Sequence, residues 1–282
     1  MPDFTLKSYK TLLLALQQAG YQFQTFETFL SSPQEEKTVI LRHDVDELAS
    51  NALAMAKLEH TLGIRATYYF RIVKQSNVPE IIRQIAAWGH EIGYHYETLA
   101  AAEGDMDQAI ASFEENLAYF RTYYPVRTVC MHGSSSSQHD NRLIWSHRRL
   151  SDYGLIGEPY LTLDFNKVYY LSDTGYAWDG GKYAVRDKVD NPFGLHFHST
   201  REVVCSIHHG EFPHQAMILA HTLWTSNPFL WCWLHARESL RNSIKQASRN
   251  NKTIAKIYKA LVDIYWKASQ GKKVQKKLSS TQ

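Results

Sequence analysis

The chain has 282 residues, of which 44% are hydrophobic and 21% charged. This is the composition of a globular domain, and it excludes a disordered or fibrous protein. The formal net charge of +3 argues against nucleic acid as a partner, because proteins that follow a phosphate backbone carry a denser basic face.

Hydrophobic periodicity predicts alternating helices and strands in the first half of the chain. Helical spacing of apolar residues predicts helices over residues 6–19, 48–62, 78–88 and 105–123. Runs of strand-forming residues predict strands over residues 38–44, 66–70, 91–95 and 128–132. This order of elements implies right-handed parallel crossovers, so we predict an α/β fold with a parallel barrel or an open parallel sheet.

The second half of the chain has a less regular pattern. We predict a short helix, two short strands and a final core strand, at residues 140–149, 154–157, 167–171 and 203–208. One or two helices follow from about residue 234 to residue 270. Since no repeat or interdomain linker is evident, we expect a single domain over residues 1–282, with a core at about 38–210 and a helical extension at about 211–282.

A pair of carboxylates ends the first predicted core strand. Asp44 and Asp46 follow the apolar run that begins at Val39. Alternate residues of a strand face the same side, so both carboxylates should emerge together at the carboxyl edge of the sheet, where α/β folds place active sites. Two like charges this close require a compensating cation, proton or substrate group, which indicates a metal or acid/base site. Capping of the next helix is the alternative role for this pair.

Three further predicted strands also end in a side chain that can bind a metal or a proton. These residues are His95, His132 and His208. A single histidine is more often a hydrogen-bonded structural residue than a ligand. Four strand ends that carry such groups to one edge favour a functional site.

The motifs at these strand ends resemble those of the polysaccharide deacetylase family, which is defined by NodB homology and includes carbohydrate esterases. Residues 42–46, 89–95 and 205–208 resemble its first, second and late motifs. The resemblance implies a distorted parallel (β/α) barrel of about seven strands, here with extra N- and C-terminal helices. It also implies that Asp44 is the general base, that Asp46 and His95 bind a divalent metal, and that His208 is the general acid.

The sequence departs from the family pattern at the metal site. A second metal-binding histidine usually follows the first by four residues, and Leu99 occupies that position here. A catalytic zinc usually has three protein ligands. We therefore expect His132, or alternatively Glu97, to complete the set with Asp46 and His95, and we expect the ion to be zinc.

A second departure concerns the third family motif, which usually supplies an arginine that positions the catalytic aspartate. This chain has a run of serines there, of which Ser134 is a candidate for binding sugar hydroxyls; a solvated loop is the alternative. Asp173 and Trp178 occupy the region of a motif that shapes the pocket and orients the acid. The resemblance therefore implies that both are substrate-site residues.

The function implied is metal-dependent removal of N-acetyl groups from a sugar of a cell-surface polysaccharide or its precursor. Hydrolysis of a cyclic amide or another C–N bond on the same fold is one alternative. A degenerate member that binds glycans or partner proteins without catalysis is the other.

Signals of cellular location are few. No signal peptide and no apolar stretch of about 18 residues is evident, so we expect a cytoplasmic protein without a transmembrane segment. The basic amphipathic pattern of residues 252–267 would suit peripheral contact with an anionic membrane, and packing on the barrel is the alternative.

Overall fold

A seven-stranded parallel sheet forms the centre of the fold. The computed structural model describes residues 2–32, 36–133, 137–178, 189–190, 192–250 and 260. The strands are β1 (Gln22–Gln24), β2 (Thr38–Val45), β3 (Thr67–Phe70), β4 (Glu91–Tyr96), β5 (Val129–Met131), β6 (Tyr169–Ser172) and β7 (Gln215–Leu219). Their order is β5-β4-β3-β2-β7-β6, and β1 pairs with the first residues of β2. The sheet curls into a half-barrel, which confirms the predicted distorted parallel barrel.

Helices flank the sheet and connect its strands. They are α1 (Leu6–Gln18), α2 (Phe26–Ser31), α3 (Ala49–Thr61), α4 (Pro79–Ala87), α5 (Thr98–Ala101), α6 (Met106–Phe120), α7 (Pro159–Thr162), α8 (Thr200–His208) and α9 (Pro228–Asn250). The four helices predicted in the first half correspond to α1, α3, α4 and α6. A 3-10 helix over Asn141–Ser146 replaces the predicted short helix. Among the described residues, no helix is long and apolar enough to cross a membrane.

Strand β2 is the central strand of the sheet. It pairs with β1, β3 and β7, and all eight of its residues are buried. Val39, Leu41 and Val45 pack into the larger core against the helices, whereas Ile40 belongs to the smaller core inside the half-barrel. Because side chains alternate along a strand, Arg42 and Asp44 share the interior face with Ile40.

A buried polar cluster lies behind β2, on the face that packs against the helices. Glu59 of α3 is fully buried and accepts hydrogen bonds from the hydroxyls of Tyr9 and Tyr68 at 2.6 and 2.7 Å. Its Oε1 also lies 2.9 Å from Nε2 of His43, whose Nδ1 lies 2.8 Å from the carbonyl of Ala220. Burial opposes ionisation of Glu59, but the charge of the His43 ring lowers the pKa of this carboxyl. The cluster thus ties α1, α3, β2 and β3 to the end of β7.

The final core strand is not where the sequence predicts it. Residues 203–208 belong to helix α8, and the last core strand is β7. The β-branched residues of this segment favoured a strand, but the Ser199 side chain caps the first turn by accepting a hydrogen bond from the backbone N–H of Glu202. Val203 and Ile207, four residues apart, form the buried face of the helix. Tertiary packing and the cap therefore outweigh β propensity.

The position of β7 also changes the extent of the sheet. β1 and β7 both lie outside residues 38–210, which is the range that we expected for the barrel core. The predicted helical extension at 211–282 therefore contains a central strand, and its described helix is α9. The predicted helix beyond Asn250, with its basic residues, lies outside the described residues apart from position 260.

The buried cluster predicts a strong effect of charge removal at Glu59. Glu59→Gln removes the charge opposite His43, and breaking a buried pair of this kind costs about 3 kcal/mol or more. We expect the free energy of unfolding, measured by urea denaturation at neutral pH, to fall by that amount.

The matched control for this variant is Glu80→Gln on the exposed side of α4. We expect this control to leave the stability unchanged. Because the folded-state pKa of Glu59 is lowered, its contribution is present above its unfolded pKa of about 4.3 and is lost as the pH falls through the folded value. The difference in unfolding free energy between wild type and Glu59→Gln should therefore become smaller in acid. Equal stability of the two proteins at neutral pH would contradict this account.

Candidate metal and catalytic site

The catalytic candidate Asp44 is paired with an arginine of its own strand. Arg42 donates from Nε to Oδ1 of Asp44 at 2.9 Å and from Nη2 to Oδ2 at 2.6 Å. Both side chains are buried, and the guanidinium lies over the rings of Tyr69 and Tyr160 at 5.7 and 5.0 Å. Burial would raise the pKa of Asp44, but the charges of Arg42 and then His95 lower it. The carboxylate is thus held ionised and in one orientation.

Three donor atoms converge beside Asp44, one each from Asp46, His95 and His132. Asp46 Oδ1 lies 3.4 Å from Nε2 of His95 and 3.5 Å from Nε2 of His132. Bonds of zinc to nitrogen or oxygen of the usual length place neighbouring ligand atoms about 3.3 Å apart in a tetrahedron. The spacing of these atoms therefore fits a divalent ion of this size.

Asp46 Oδ1 provides the second indication of a metal site. It is a buried atom without a hydrogen-bond partner, although the side chain as a whole is 31% exposed. Burial opposes its charge, but His132 and His95 hold the pKa of Asp46 well below its usual range. A buried carboxylate oxygen that lacks a donor and faces two imidazoles is suited to a cation.

The ring of His95 is also oriented to suit binding of a cation. Its Nδ1 lies 3.0 Å from the carbonyl of Cys130, which holds a ring hydrogen on Nδ1 and turns Nε2 towards the carboxylates. Nε2 lies 3.4 Å from Asp44 Oδ2 as well as from Asp46. One imidazole therefore contacts both carboxylates, which confirms that the two emerge on the same side of the sheet.

A second group of ligand atoms overlaps the first. Asp44, His95 and Cys130 also bring ligand atoms close together in the buried interior. In this group both oxygens of Asp44 are already bound by Arg42, and the guanidinium charge would repel a cation. The group that contains Asp46 and His132 is therefore the better metal site.

Glu97, the alternative third ligand, has other partners. Arg71 donates to both of its oxygens, at 2.7 and 2.8 Å from Nη2. Oε2 also lies 2.8 Å from Nδ1 of His132. The charges of Arg71 and His132 lower the pKa of Glu97 to about 2 against the effect of burial. With its oxygens bound to donors, Glu97 supports His132 and is not placed to bind the ion itself.

The second sequence motif contains a glycine that the packing requires. A Cβ on Gly93 would lie 2.3 Å from two carbons of the Tyr69 ring. Tyr69 in turn lies under the Arg42 guanidinium. The glycine of this motif thus allows the ring that supports the Arg42–Asp44 pair to pack against β4.

A histidine that the sequence analysis missed completes the edge of the sheet. His221 follows β7, and its Nδ1 lies 2.6 Å from Oδ1 of Asp173. Asp173 also accepts hydrogen bonds from the backbone N–H of His221 and from the indole of Trp224. Burial would lower the pKa of His221, but the charge of Asp173, followed by those of Asp46 and Asp44, raises it to about 10. The raised pKa favours the protonated ring at neutral pH, and Asp173 holds that ring through Nδ1.

The structure places His208 away from this site. It is an exposed residue at the C-terminus of α8. Helix α8 leads into β7, so His208 lies towards the amino edge of a parallel sheet, whereas Asp44 and His221 lie at the carboxyl edge. The assignment of His208 to a strand end next to Asp44 is therefore wrong.

A signal for His221 is present in the sequence. The run 216–220 is apolar and ends directly before a histidine, which is the pattern seen at the other predicted strand ends. The Ser199-Thr200-Arg201-Glu202 sequence is a capping-box signature and indicates a helix directly before it. Together these two signals favour 215–219 as the strand.

The predicted substrate residues have different positions. Asp173 is 1% exposed, and its oxygens are bound by His221 and Trp224, so it orients the histidine. Trp178 is 4% exposed, packs on Trp224 at 5.7 Å and donates to Thr200. Its ring is therefore packed in the core, and its role as a pocket wall stays a prediction. Ser134 lies outside the described residues.

The loop after Asp46 connects the two sides of the site. Thr222 donates to the carbonyl of Glu47 at 2.6 Å, and Arg237 of α9 pairs with the Glu47 carboxylate. Leu48, the N-cap residue directly before α3, has a φ of 55°, a left-handed conformation that costs free energy outside glycine. These contacts hold the end of β2 against the end of β7, and so hold Asp46 near His221.

Comparison with known proteins finds similarity among solved structures. No family model and no curated protein matches the chain. The structure is similar to a CE4 family pseudoenzyme from Bacillus anthracis (14% identity, TM-score 0.40, 76% of this chain and 63% of that one). It is also similar to a CE4 esterase from Streptococcus mutans (14%, 0.41, 82% and 91%) and to a peptidoglycan N-acetylglucosamine deacetylase (17%, 0.39, 77% and 83%).

These neighbours are carbohydrate esterases and deacetylases, including a pseudoenzyme, which is the kind of protein that the sequence motifs resemble. The chain spans less than two thirds of the pseudoenzyme structures it matches.

The ion pair between Arg42 and Asp44 predicts that Asp44→Asn lowers the stability of the fold as well as affecting catalysis. The substitution leaves a buried guanidinium without its counter-charge, which costs about 3 kcal/mol. We expect urea denaturation to show this loss of unfolding free energy, and we expect the double variant Arg42→Met/Asp44→Asn to recover part of it. If the single variant were as stable as wild type, the ion pair would have no structural importance.

Proposed function

We propose that this chain is a metal-dependent hydrolase that removes acetyl groups from an N-acetylated sugar of a cell-surface polysaccharide or its precursor. The observation that carries the proposal is the arrangement at one sheet edge of a two-histidine, one-carboxylate donor set beside two other groups. These groups are the ionised carboxylate of Asp44 and the imidazole of His221, whose pKa is raised by Asp173.

Asp46, His95 and His132 would hold the ion, and zinc is the expected metal because two imidazoles and one carboxylate are a known catalytic zinc set. When bound, the ion polarises the acetamide carbonyl and acidifies water. The three ligand side chains differ in access to solvent. His95 is 2% exposed, whereas His132 and Asp46 are 15% and 31% exposed. The substrate therefore approaches from the side of His132 and Asp46.

Asp44 is the proposed general base. Its oxygens are held by Arg42, and it lies next to the donor set through His95. Arg42 thereby supplies the arginine contact to the catalytic aspartate that the third family motif lacks in this chain. Because Arg42 keeps Asp44 ionised, the carboxylate is ready to accept a proton from water.

His221 is the proposed general acid in place of His208. Cleavage of an amide requires protonation of the leaving nitrogen, and His221 holds a proton at neutral pH while Asp173 fixes the ring through Nδ1. Its side chain is 16% exposed, so the ring is not sealed from solvent. An acid and a base next to a metal site favour hydrolysis over simple glycan binding.

Metal analysis and acetate release test this function together. We expect the purified protein to bind about one divalent ion per chain, and we expect chelation to abolish acetate release from N-acetylated oligosaccharides. Zinc should restore it. A protein that binds no divalent ion after reconstitution, or that binds one but releases acetate from no N-acetylated sugar, would contradict the proposal. Activity on a cyclic amide alone would redirect it to that substrate class.

The two histidines provide a matched pair of variants. His221→Ala removes the proposed acid, and loss of one general acid lowers the rate by about 100-fold or more. His208→Ala should leave kcat unchanged, since His208 is exposed at the far edge of the sheet. Steady-state kinetics on one N-acetylated sugar, with metal content measured for each variant, compares them. A large effect of His208→Ala with none of His221→Ala would reverse the assignment.

A further inference from the structure

The ring of His132 is held from behind by a carboxylate, which is itself held by an arginine. Nδ1 of His132 lies 2.8 Å from Oε2 of Glu97. Arg71 donates to Oε1 of Glu97 from Nε at 3.0 Å and from Nη2 at 2.7 Å, and Nη2 also lies 2.8 Å from Oε2. Glu97 is 3% exposed, so few other orientations are open to it.

We propose that Arg71 and Glu97 are positioning residues that make His132 a metal ligand. This inference rests on the proposed function, because it takes Asp46, His95 and His132 as the donor set. Glu97 acts through His132, and Arg71 acts through Glu97. Neither residue touches the ion or the substrate.

The hydrogen bond to Glu97 selects the form of the imidazole that binds metal. A carboxylate next to Nδ1 keeps the ring hydrogen on that atom, which leaves the lone pair on Nε2. This Nε2 is the atom that lies 3.5 Å from Asp46 Oδ1. Metal-binding histidines generally donate their other N–H to a carboxylate or a carbonyl, and the carboxylate raises the basicity of the ligand. His95 uses the carbonyl of Cys130 for this purpose, and His132 uses Glu97.

The same contacts connect four neighbouring strand ends. Arg71 follows β3, Glu97 follows β4 and His132 follows β5, in the order of these strands in the sheet. Nη1 of Arg71 also lies 3.4 Å from the carbonyl of Asp46, directly after β2. Arg71 and Glu97 thus link the backbone of one proposed ligand to the side chain of another.

The location of His132 explains the need for this support. Position 99, where the family has its second histidine, is a leucine that is 2% exposed and packs in the core on α5. The replacement ligand comes instead from the end of β5, which has three residues and is the edge strand beyond β4. An edge strand this short provides little restraint on the side chain that follows it. The hydrogen bond from a fixed carboxylate provides that restraint.

Metal affinity is the first readout. Removal of an outer partner of a metal-binding histidine weakens metal binding about 10- to 100-fold. We expect this loss for Glu97→Gln and Glu97→Ala when zinc is titrated in competition with a chelating dye. Arg71→Lys should give an intermediate loss, because lysine keeps the charge but cannot donate to both oxygens from one planar group.

The matched control is Glu103→Gln, a change of the same type at an exposed position after α5. It should bind zinc as tightly as wild type. If wild type bound zinc and Glu97→Gln bound it within twofold of wild type, the positioning role of Glu97 would be overturned.

The tautomer of His132 is the second readout, and it requires no metal. In the metal-free, 15N-labelled protein, at a pH where the ring is neutral, NMR should show the hydrogen of His132 on Nδ1. In Glu97→Ala, part of the population should move to the Nε2–H form, which a general loss of stability would not produce. An unchanged tautomer in Glu97→Ala overturns the inference. A wild-type protein that binds no ion contradicts the proposed function, and the tautomer then still decides the role of Glu97.

Discussion

Two carboxylates at the end of one buried strand impose the constraint on which the rest of the site depends. Asp44 and Asp46 are too close to remain ionised without compensation. The two carboxylates have different compensating partners. Asp44 takes both of its donors from Arg42 on the same strand, whereas Asp46 is left with two imidazoles and one buried oxygen without a partner. One carboxylate is therefore satisfied within the protein, and the other is prepared for a cation.

Strand β2 consequently carries three buried ionisable groups in succession, and all three are paired. Arg42 and Asp44 pair with each other inside the half-barrel, while His43 points to the opposite face and meets Glu59 of α3. Such pairs seldom add net stability compared with an apolar core, but loss of one member is costly. His43 also bonds to the carbonyl of Ala220, directly before His221. The buried charges thus connect the base-bearing strand to the strand that carries the proposed acid.

Much of the fold and half of the site could be predicted from local patterns. The apolar periods predict helices α1, α3, α4 and α6 and strands β2 to β5, and alternation along β2 places Asp44 and Asp46 on one side. The prediction is wrong for residues 203–208, because the β-branched residues favour a strand locally whereas Ser199 and Glu202 cap a helix there. That error also moved the proposed acid to His208 and hid His221, whose strand was assigned to the helical extension.

What the sequence by itself determined is therefore the set of groups that reach the carboxyl edge from β2, β4 and β5, since strand alternation and apolar periodicity are local properties of the chain. Only the tertiary structure decided which partner each group has. In sequence His132 is the expected third ligand and Glu97 the alternative, and the choice between them depends on Arg71, which lies 26 residues from Glu97. Likewise Asp173 acquires its role from His221, 48 residues away. Hydrogen bonds between strand ends join residues that are far apart in the sequence and that no local pattern relates. The role of each residue in the site is therefore a property of the folded sheet.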